Sequence, residues 1–176
     1  MRRFCKSPKM GFMPVESDIS ELRQIVYRAA GRAEVREAVE RVYAKLQAEI
    51  DVRRPLCSAS GRCCRFEEFG HRLYVTTMEL ATFLYDAETT RTEPQAAWDG
   101  TGCPFQVSGL CGVHTIRPFG CRIYFCDATS TDWQHEQYER FHGELKALHK
   151  SLDVPYFYVE WRWALRELQL DGRPTR

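Results

Sequence analysis

The most informative residues of this chain are its cysteines, because seven of the eight fall between Cys57 and Cys126. Their order is Cys57-x5-Cys63-Cys64, Cys103-x7-Cys111 and Cys121-x4-Cys126. Thiolates at such short intervals allow a loop to curl so that several sulfurs reach one centre, as tetrahedral zinc or a cubane cluster requires. A single centre of either kind takes about four protein ligands. The pattern therefore predicts a metal site, with either two metals or spare thiols in another role.

The adjacent pair Cys63-Cys64 limits how many of these thiols can bind one ion. Side chains of neighbouring residues diverge, so they rarely serve the same metal. A free cysteine that binds no metal behaves as a small buried hydrophobe. We therefore expect one member of the pair to bind and the other to pack.

Length and composition predict one globular domain, residues 1–176. Apolar residues make up 44% of the chain and aromatic residues 12%, which favours a filled interior over disorder. The 25 Lys and Arg nearly balance the 24 Asp and Glu, giving a net charge of +1. This balance gives no electrostatic basis for binding nucleic acid or an anionic membrane, although an unknown protein partner stays possible.

The amino-terminal residues carry positive charge, but no apolar run follows them, so we expect no export signal. No stretch of about 18 apolar residues predicts a transmembrane helix. The expected compartment is the cytoplasm. Thiols stay reduced there, so the cysteines indicate metal ligation or redox chemistry rather than disulfides.

The segments that must position the cysteines are predicted to be helical on both sides. Apolar residues recur at helical spacing in residues 18–50, with a break near Gly31, and again in residues 132–170, where Pro155 interrupts them. We expect Arg53-Arg54-Pro55 to end the first segment.

The cysteine-bearing middle, residues 57–126, is predicted to be irregular with a few short strands. Leu73-Tyr74-Val75 suggests a strand, and Thr76 with Glu79 three residues later fits a capping box that opens a helix to about Tyr85. A loop is expected over residues 86–102. The predicted fold class is therefore α+β, mainly helical.

Several residues of the middle segment also resemble a known family. The match comprises Cys57-Ser58-Ala59-Ser60-Gly61-Arg62-Cys63-Cys64, Val75-Thr76 with Glu79, Cys103-Pro104-Phe105, and the run from Gly109 to Cys126. These motifs resemble the YkgJ-type cysteine-cluster family, described as zinc- or iron-chelating CxxCxxCC domains. The resemblance covers residues 57–126 and implies metal binding. Some relatives, including flagellin lysine methylases, are associated with an iron–sulfur centre.

The resemblance implies a set of metal ligands but also contains one departure. Ser60 stands where the family has its second cysteine, and a serine oxygen is a poor ligand for a soft metal. Cys5 lies apart and is not expected to bind. The residues carried over by position are Cys57, Cys63, Cys64, Cys103, Cys111, Cys121 and Cys126. With one position lost, we expect one principal centre.

Three further residues in this segment have two interpretations each. His114 follows Cys111 at metal-finger spacing, so it either binds the metal or packs beside the centre. Arg117 and Arg122 flank Cys121 and are candidates for binding the cofactor, since guanidinium groups would offset the charge of several thiolates. Their alternative partners are the carboxylates of Glu67, Glu68 or Asp127.

The carboxy-terminal segment offers weaker candidates. His135, His142 and His149 lie seven residues apart on one side of a helix, too far from each other to share one ion, and we interpret them as a solvated boundary. The aromatic run 156–163 is interpreted as core, either strand or helix start.

Two classes of function remain. The first is a protein holding a [4Fe-4S]-type iron–sulfur centre for electron transfer or cluster-assisted group transfer. The second is a non-catalytic module in which zinc staples the loop-rich middle and the flanking helices bind a partner. Surplus sulfur favours the first class, because ordinary zinc sites rarely carry spare thiols. The sequence does not say whether the protein is an enzyme, and no catalytic residue is assigned.

Overall fold

The computed structural model describes residues 16–95 and 98–170, with side chains from residue 19 onward. Helices account for 60% of the described residues and strands for 7%, so the predicted mainly helical α+β class is confirmed. The α-helices of the described part are α1 Glu16–Ala30, α2 Ala33–Arg53, α3 Phe66–Phe69, α4 Thr77–Thr90, α5 Phe119–Ile123, α6 Thr131–Ser151 and α7 Trp161–Glu167. The strands are β1 Tyr74–Thr76, β2 Gln106–Val107, β3 Leu110–Cys111 and β4 Tyr158–Glu160.

The first helical segment is two helices, α1 and α2, as the break near Gly31 predicted. Their apolar stripes are fully buried, with Val26, Val35 and Leu46 each at 0% exposure. Helix α2 ends at Arg53, where predicted: Arg54 adopts the left-handed conformation, with φ 52°, before Pro55. No helix of the described ranges is long and apolar enough to cross a membrane.

Helix α4 is the centre of the core and packs against α1 and α2. Every residue from Thr77 to Leu84 is buried, which is typical of a helix that is apolar on all sides. The predicted capping box is present: the Thr76 hydroxyl accepts the Glu79 N–H, and the Glu79 carboxylate accepts the Thr76 N–H. The helix continues to Thr90, beyond the predicted end at Tyr85, because Ala87 extends the buried face. The loop expected from residue 86 therefore begins later.

The second oxygen of Glu79 links α4 to two other helices. It accepts the Phe119 N–H at 2.9 Å, at the start of α5, and lies 3.5 Å from the Tyr43 hydroxyl on α2. Glu79 is only 2% exposed, and burial raises the pKa of its carboxyl. Its hydrogen bonds fix the position of α5, the short helix that carries Cys121.

Strands β1 and β4 pair antiparallel, with Val75 opposite Val159, and join the middle of the chain to its end. The aromatic run 156–163, left open between strand and helix, is both: β4 ends at Glu160, whose carboxylate caps α7 by accepting the Trp163 N–H at 2.8 Å. Trp161 is 1% exposed and confirms that part of the run is core.

Helix α6 corrects the interpretation of the three histidines as a solvated boundary. His135 is exposed, but His149 is only 3% exposed and its Nδ1 lies 3.0 Å from the Val154 carbonyl oxygen. His142 packs on Tyr158, with ring centroids 4.7 Å apart, and its Nε2 lies 3.1 Å from the Tyr156 hydroxyl. The residues after Pro155 fold back over this side of α6, which the helical spacing alone did not reveal.

Replacing Glu79 by Gln should destabilise the fold. Both carboxylate oxygens accept backbone N–H groups, and an amide can accept through only one side, so one buried N–H would face an NH₂ donor. We expect a loss of about 2 kcal/mol in the free energy of unfolding, measured by urea denaturation. Glu88→Gln, on an exposed position of the same helix, is the matched control and should have little effect. Equal stability of the two variants would show that the buried carboxylate is dispensable.

His149 should make the fold sensitive to acid. Burial lowers the pKa of its imidazole below the ordinary value of 6.5, so below pH 6.5 the unfolded chain takes up a proton that the folded chain resists. The free energy of unfolding should fall with falling pH, by at most about 1.4 kcal/mol per pH unit for this one group. His149→Phe should flatten this slope in denaturation curves recorded from pH 7 to pH 5, whereas His135→Phe should not. An unchanged slope would show that His149 does not cause the acid sensitivity. Burial also lowers the pKa values of His71 and His142, so these two histidines account for the slope that remains in the variant.

Candidate metal centre

The cysteines are presented by short elements and loops between α2 and α6. Cys63 and Cys64 lie in a single 3-10 turn, Arg62–Cys64. Cys111 ends β3 and Cys121 lies within α5. Cys103 precedes β2, while Cys57 and Cys126 lie in the loops after α2 and α5. The middle segment is thus as poor in regular structure as predicted.

Two backbone contacts bring the first and second cysteine groups together, and each needs a glycine. The Cys103 N–H donates to the Cys64 carbonyl at 2.8 Å. Gly102, with φ +60°, permits this approach, because a Cβ there would lie 2.8 Å from the Cys64 oxygen. Gly61, with φ +66°, lets the β2–β3 hairpin approach, because a Cβ there would lie 1.9 Å from the Gly109 oxygen.

The Gln106 side chain fastens this hairpin to the Cys63-Cys64 turn. Its amide donates to the carbonyls of Gly61 and Gly109, at 3.1 Å each. The hairpin itself pairs Gln106 with Cys111, so the same residue sets the position of the Cys111 thiol. Cysteines far apart in sequence are therefore held together by main-chain hydrogen bonds of the loops.

Four thiols form one hydrogen-bonded group, centred on Cys64. Its thiol interacts with those of Cys63, Cys103 and Cys111, and these hydrogen bonds raise the pKa of Cys64. The same interactions lower the pKa of the neighbours, to about 7 for Cys63 and about 6 for Cys111, and below the ordinary value for Cys103. The sulfurs around Cys64 are therefore the better thiolates. Both members of the adjacent Cys63-Cys64 pair belong to the group, whereas we expected one to pack elsewhere.

Cys121 lies beside this group without joining its hydrogen bonds. Burial raises the pKa of its thiol well above the ordinary value, and the charges of Cys103, Cys63 and Cys111 raise it further. It is therefore a fifth sulfur next to four. The hydrogen bond from Phe119 to Glu79, two residues before Cys121, fixes its helix in this position.

Arg117 faces this group and Arg122 lies beside Cys121, and neither forms an ion pair within the described part of the chain. The Nε atoms of both are buried and have no hydrogen-bond partner. The Arg117 charge lowers the pKa of Cys63, Cys111 and Cys121. Arg122 lies over the Tyr43 ring at 4.2 Å, donates to the Thr115 carbonyl and interacts with the charge of Asp86. The Arg117 charge is thus the one left for the sulfurs to balance.

The carboxylates considered as alternative partners of these arginines are engaged elsewhere. Glu67 pairs with Arg162 and accepts the Gly102 N–H, and Glu68 pairs with Arg65. Asp127 accepts hydrogen bonds from Leu56 and from the turn that follows it. The alternative that Arg117 and Arg122 form ion pairs with these residues is therefore wrong.

The remaining predicted site residues lie at the edge. His114 is exposed, and the charges of Arg117 and Arg122 lower the pKa of its imidazole. Cys57 is exposed, and its thiol forms no hydrogen bond with a described residue. Cys126 is also exposed, with its sulfur 3.9 Å from the Ser60 hydroxyl. The structure therefore brings five of the seven cysteines together and leaves Cys57 and Cys126 outside, with Ser60 beside the latter.

Two residues at the centre were not among the sequence candidates. The Trp161 indole N–H lies near the Cys103 sulfur and lowers its pKa, although it makes no hydrogen bond of good geometry. His71 places Nε2 at 3.3 Å from the Cys63 carbonyl oxygen and stacks on Tyr124, with ring centroids 5.1 Å apart. No sequence pattern pointed to either residue. Trp161 reaches the thiols because β4 pairs with β1, and His71 reaches them through the loop before β1.

The donor chemistry suits a soft metal, but the arrangement is not that of a formed ligand shell. In residues 16–95 and 98–170, no group of three or more His, Cys, Asp or Glu side chains is placed to hold a metal ion. The thiols interact with one another instead. A thiolate-bound metal would still use three features of this region: the thiolate donors, the arginine charge beside them and the indole N–H near a sulfur.

Comparison with known proteins does not identify the chain, since no family model, no curated protein and no solved structure matches it. The resemblance to the YkgJ-type family therefore stays a prediction from the motifs. Evidence about function therefore comes from the geometry of the thiols and arginines.

The contact between Ser60 and Cys126 gives a prediction about the position where the family has its second cysteine. Ser60→Cys should place a thiol beside Cys126, and mild oxidation of the purified variant should join the two in a disulfide. Mass spectrometry of peptides from the oxidised, unreduced protein would detect the cross-link. Ser58→Cys, two residues away, is the control and should not cross-link to Cys126. Equal cross-linking of both variants would mean that the loop, rather than this contact, controls the pairing.

Proposed function

We propose that the thiols of Cys63, Cys64, Cys103 and Cys111, with Cys121 beside them, form the protein part of one metal centre, and that this centre is a [4Fe-4S]-type iron–sulfur cluster. The observation that carries the proposal is the charge balance. Four clustered thiols face Arg117, which forms no ion pair with a described residue, while Arg122 lies beside Cys121 and also interacts with the charge of Asp86. A partly buried charge is costly unless it is compensated, and thiolates bound to a metal would compensate Arg117 most directly.

The spare sulfur favours iron–sulfur over zinc. Either centre takes about four protein ligands, but ordinary zinc sites rarely carry a spare thiol beside them, and the partly buried Cys121 is such a fifth thiol. Nevertheless, the four hydrogen-bonded thiols match a Cys₄ zinc site in number, and a structural zinc is the alternative on that ground. The spacing motifs that resemble the YkgJ-type family support metal binding in either case.

Binding would require the thiol group to lose its protons and rearrange. The pKa of the Cys64 thiol is raised, whereas the pKa values of Cys111 and Cys63 are lowered. Cys111 and Cys63 therefore lose their protons to a metal before Cys64 does. Arg117 stabilises these thiolates, and the Trp161 N–H is available to a sulfur ligand at Cys103. A bound cluster would supply one-electron chemistry, whose potential depends on such hydrogen bonds and charges.

The role that fits such a centre is electron transfer or a cluster-assisted group transfer in the reducing cytoplasm. Both roles need the cluster to be close to the surface, and Cys63, Cys111 and Cys121 are only partly buried. Arg117 and Arg122 are proposed to hold the cofactor by charge. His114 and the exposed cysteines border the centre in this proposal and do not form its principal ligands.

Purification without oxygen should test the metal directly. The wild-type protein should be brown and contain iron and acid-labile sulfide, in a ratio of about four of each per chain. Cys111→Ser should lose most of the metal, because it removes a central thiol, whereas Cys57→Ser, which removes an exposed one, should keep it. Metal analysis and the visible absorption spectrum measure both.

The alternative outcomes are separable. A colourless protein with one zinc per chain and no sulfide would replace the iron–sulfur centre by the zinc module. Absence of any metal in protein made with iron and zinc supplied would overturn metal binding altogether. Loss of metal in Cys57→Ser with retention in Cys111→Ser would place the centre at the exposed cysteines instead.

A further inference from the structure

A pocket lies between α3 and α7, with His71 in its lining. Its volume is about 260 Å³, and its lining includes Phe66, Glu67, His71, Arg72, Tyr74 and Arg162. This volume is just below the range of about 300–1,000 Å³ that is usual for drug-sized ligands. The α3–α7 pocket therefore suits a ligand of about one ring with a substituent.

Two arginines give the α3–α7 pocket unused hydrogen-bond donors. Arg72 is exposed at its edge and makes no ion pair or hydrogen bond with a described residue. Arg162 is largely buried, and it binds Glu160 through Nε and Glu67 through Nη1. Its Nη2 has no partner among the described residues. Guanidinium groups with open donors are the usual partners of carboxylates.

The walls of the α3–α7 pocket are aromatic and held in fixed positions. The Phe66 ring meets the His71 ring edge to face, with centroids 5.3 Å apart, and Arg162 lies over Phe66. Tyr74 stacks on Tyr158 with centroids 5.4 Å apart. Rings already fixed by neighbours lose little entropy when they receive a flat ligand.

The carboxylate in the wall does not cancel these donors. Glu67 is bound to Arg162 on one oxygen and accepts the Gly102 N–H with the other. The uncompensated charge of the α3–α7 pocket is thus that of Arg72. A polar atom of the His71 ring, Nδ1, is buried without a partner as well, so the polar lining is incomplete as it stands.

We propose that the α3–α7 pocket binds a small aromatic carboxylate, with its ring against the partly exposed His71 and Tyr74 and its carboxylate between Arg72 and Arg162. This proposal does not depend on the metal centre. It needs only the aromatic walls and the two open guanidinium groups described above.

Benzoate, benzylamine and benzamide test the proposal, because they share one ring and differ in charge. In a titration followed by two-dimensional NMR, benzoate should bind wild-type protein saturably, with Kd of about 1–5 mM, and shift the signals of residues 66–74 and 160–163. Benzamide and benzylamine should bind at least about fivefold more weakly, because they lack the carboxylate that the arginines recognise.

The matched variants are Arg72→Gln and Arg65→Gln. Arg72→Gln should weaken benzoate binding about five- to tenfold. Arg65, which pairs with Glu68 and does not line the α3–α7 pocket, should be replaceable without effect. Arg72 is exposed and Arg65 is partly exposed, so loss of folding is not expected. The proposal is overturned if benzoate does not saturate, if benzylamine or benzamide binds as well, or if both variants bind benzoate like the wild type.

Discussion

The hydrogen bonds to the buried carboxylate of Glu79 are the interactions on which the rest of the structure depends. One oxygen closes the capping box with Thr76, and the other accepts the Phe119 N–H that starts α5. Through these bonds the central helix α4, the strand β1 and the cysteine-bearing helix α5 share one anchor. A carboxylate at 2% exposure is tolerated because its oxygens are satisfied by backbone donors, which offsets much of its cost of burial.

The helices and the cysteine loops on either side of this anchor are stabilised in different ways. The helices α1, α2, α4 and α6 bury a continuous apolar core, including Val26, Leu46 and Phe141, and need no metal to do so. The cysteine loops add Phe105, Val113 and Phe119 to this core, and directed contacts such as Gln106 to Gly61 and Cys103 to Cys64 hold the turns between them. Loss of a metal would loosen these turns before the helical frame.

The sequence predicted the elements whose signals are local. The break near Gly31, the capping box at Thr76 and the end of α2 before Pro55 each depend on residues within one or two turns, so spacing and residue type were enough. The burial of His149 and the proximity of Trp161 to Cys103 were not predictable in this way. Both depend on the chain after Pro155 returning to pair β4 with β1, more than eighty residues away from its partner. No local pattern encodes that return.

The same distinction applies to the candidate site. Spacing identified the seven cysteines as a group, but it could not show which of them lie together, because exposure and hydrogen bonding decide which sulfurs meet. The structure separates a partly buried group around Cys64 from the exposed Cys57 and Cys126, and Ser60 lies beside Cys126. A missing cysteine at position 60 would therefore weaken the outer pair rather than the inner group. The Arg117 charge acts on the inner group, so the part of the cysteine pattern that this chain retains is also the part whose charge an arginine can balance.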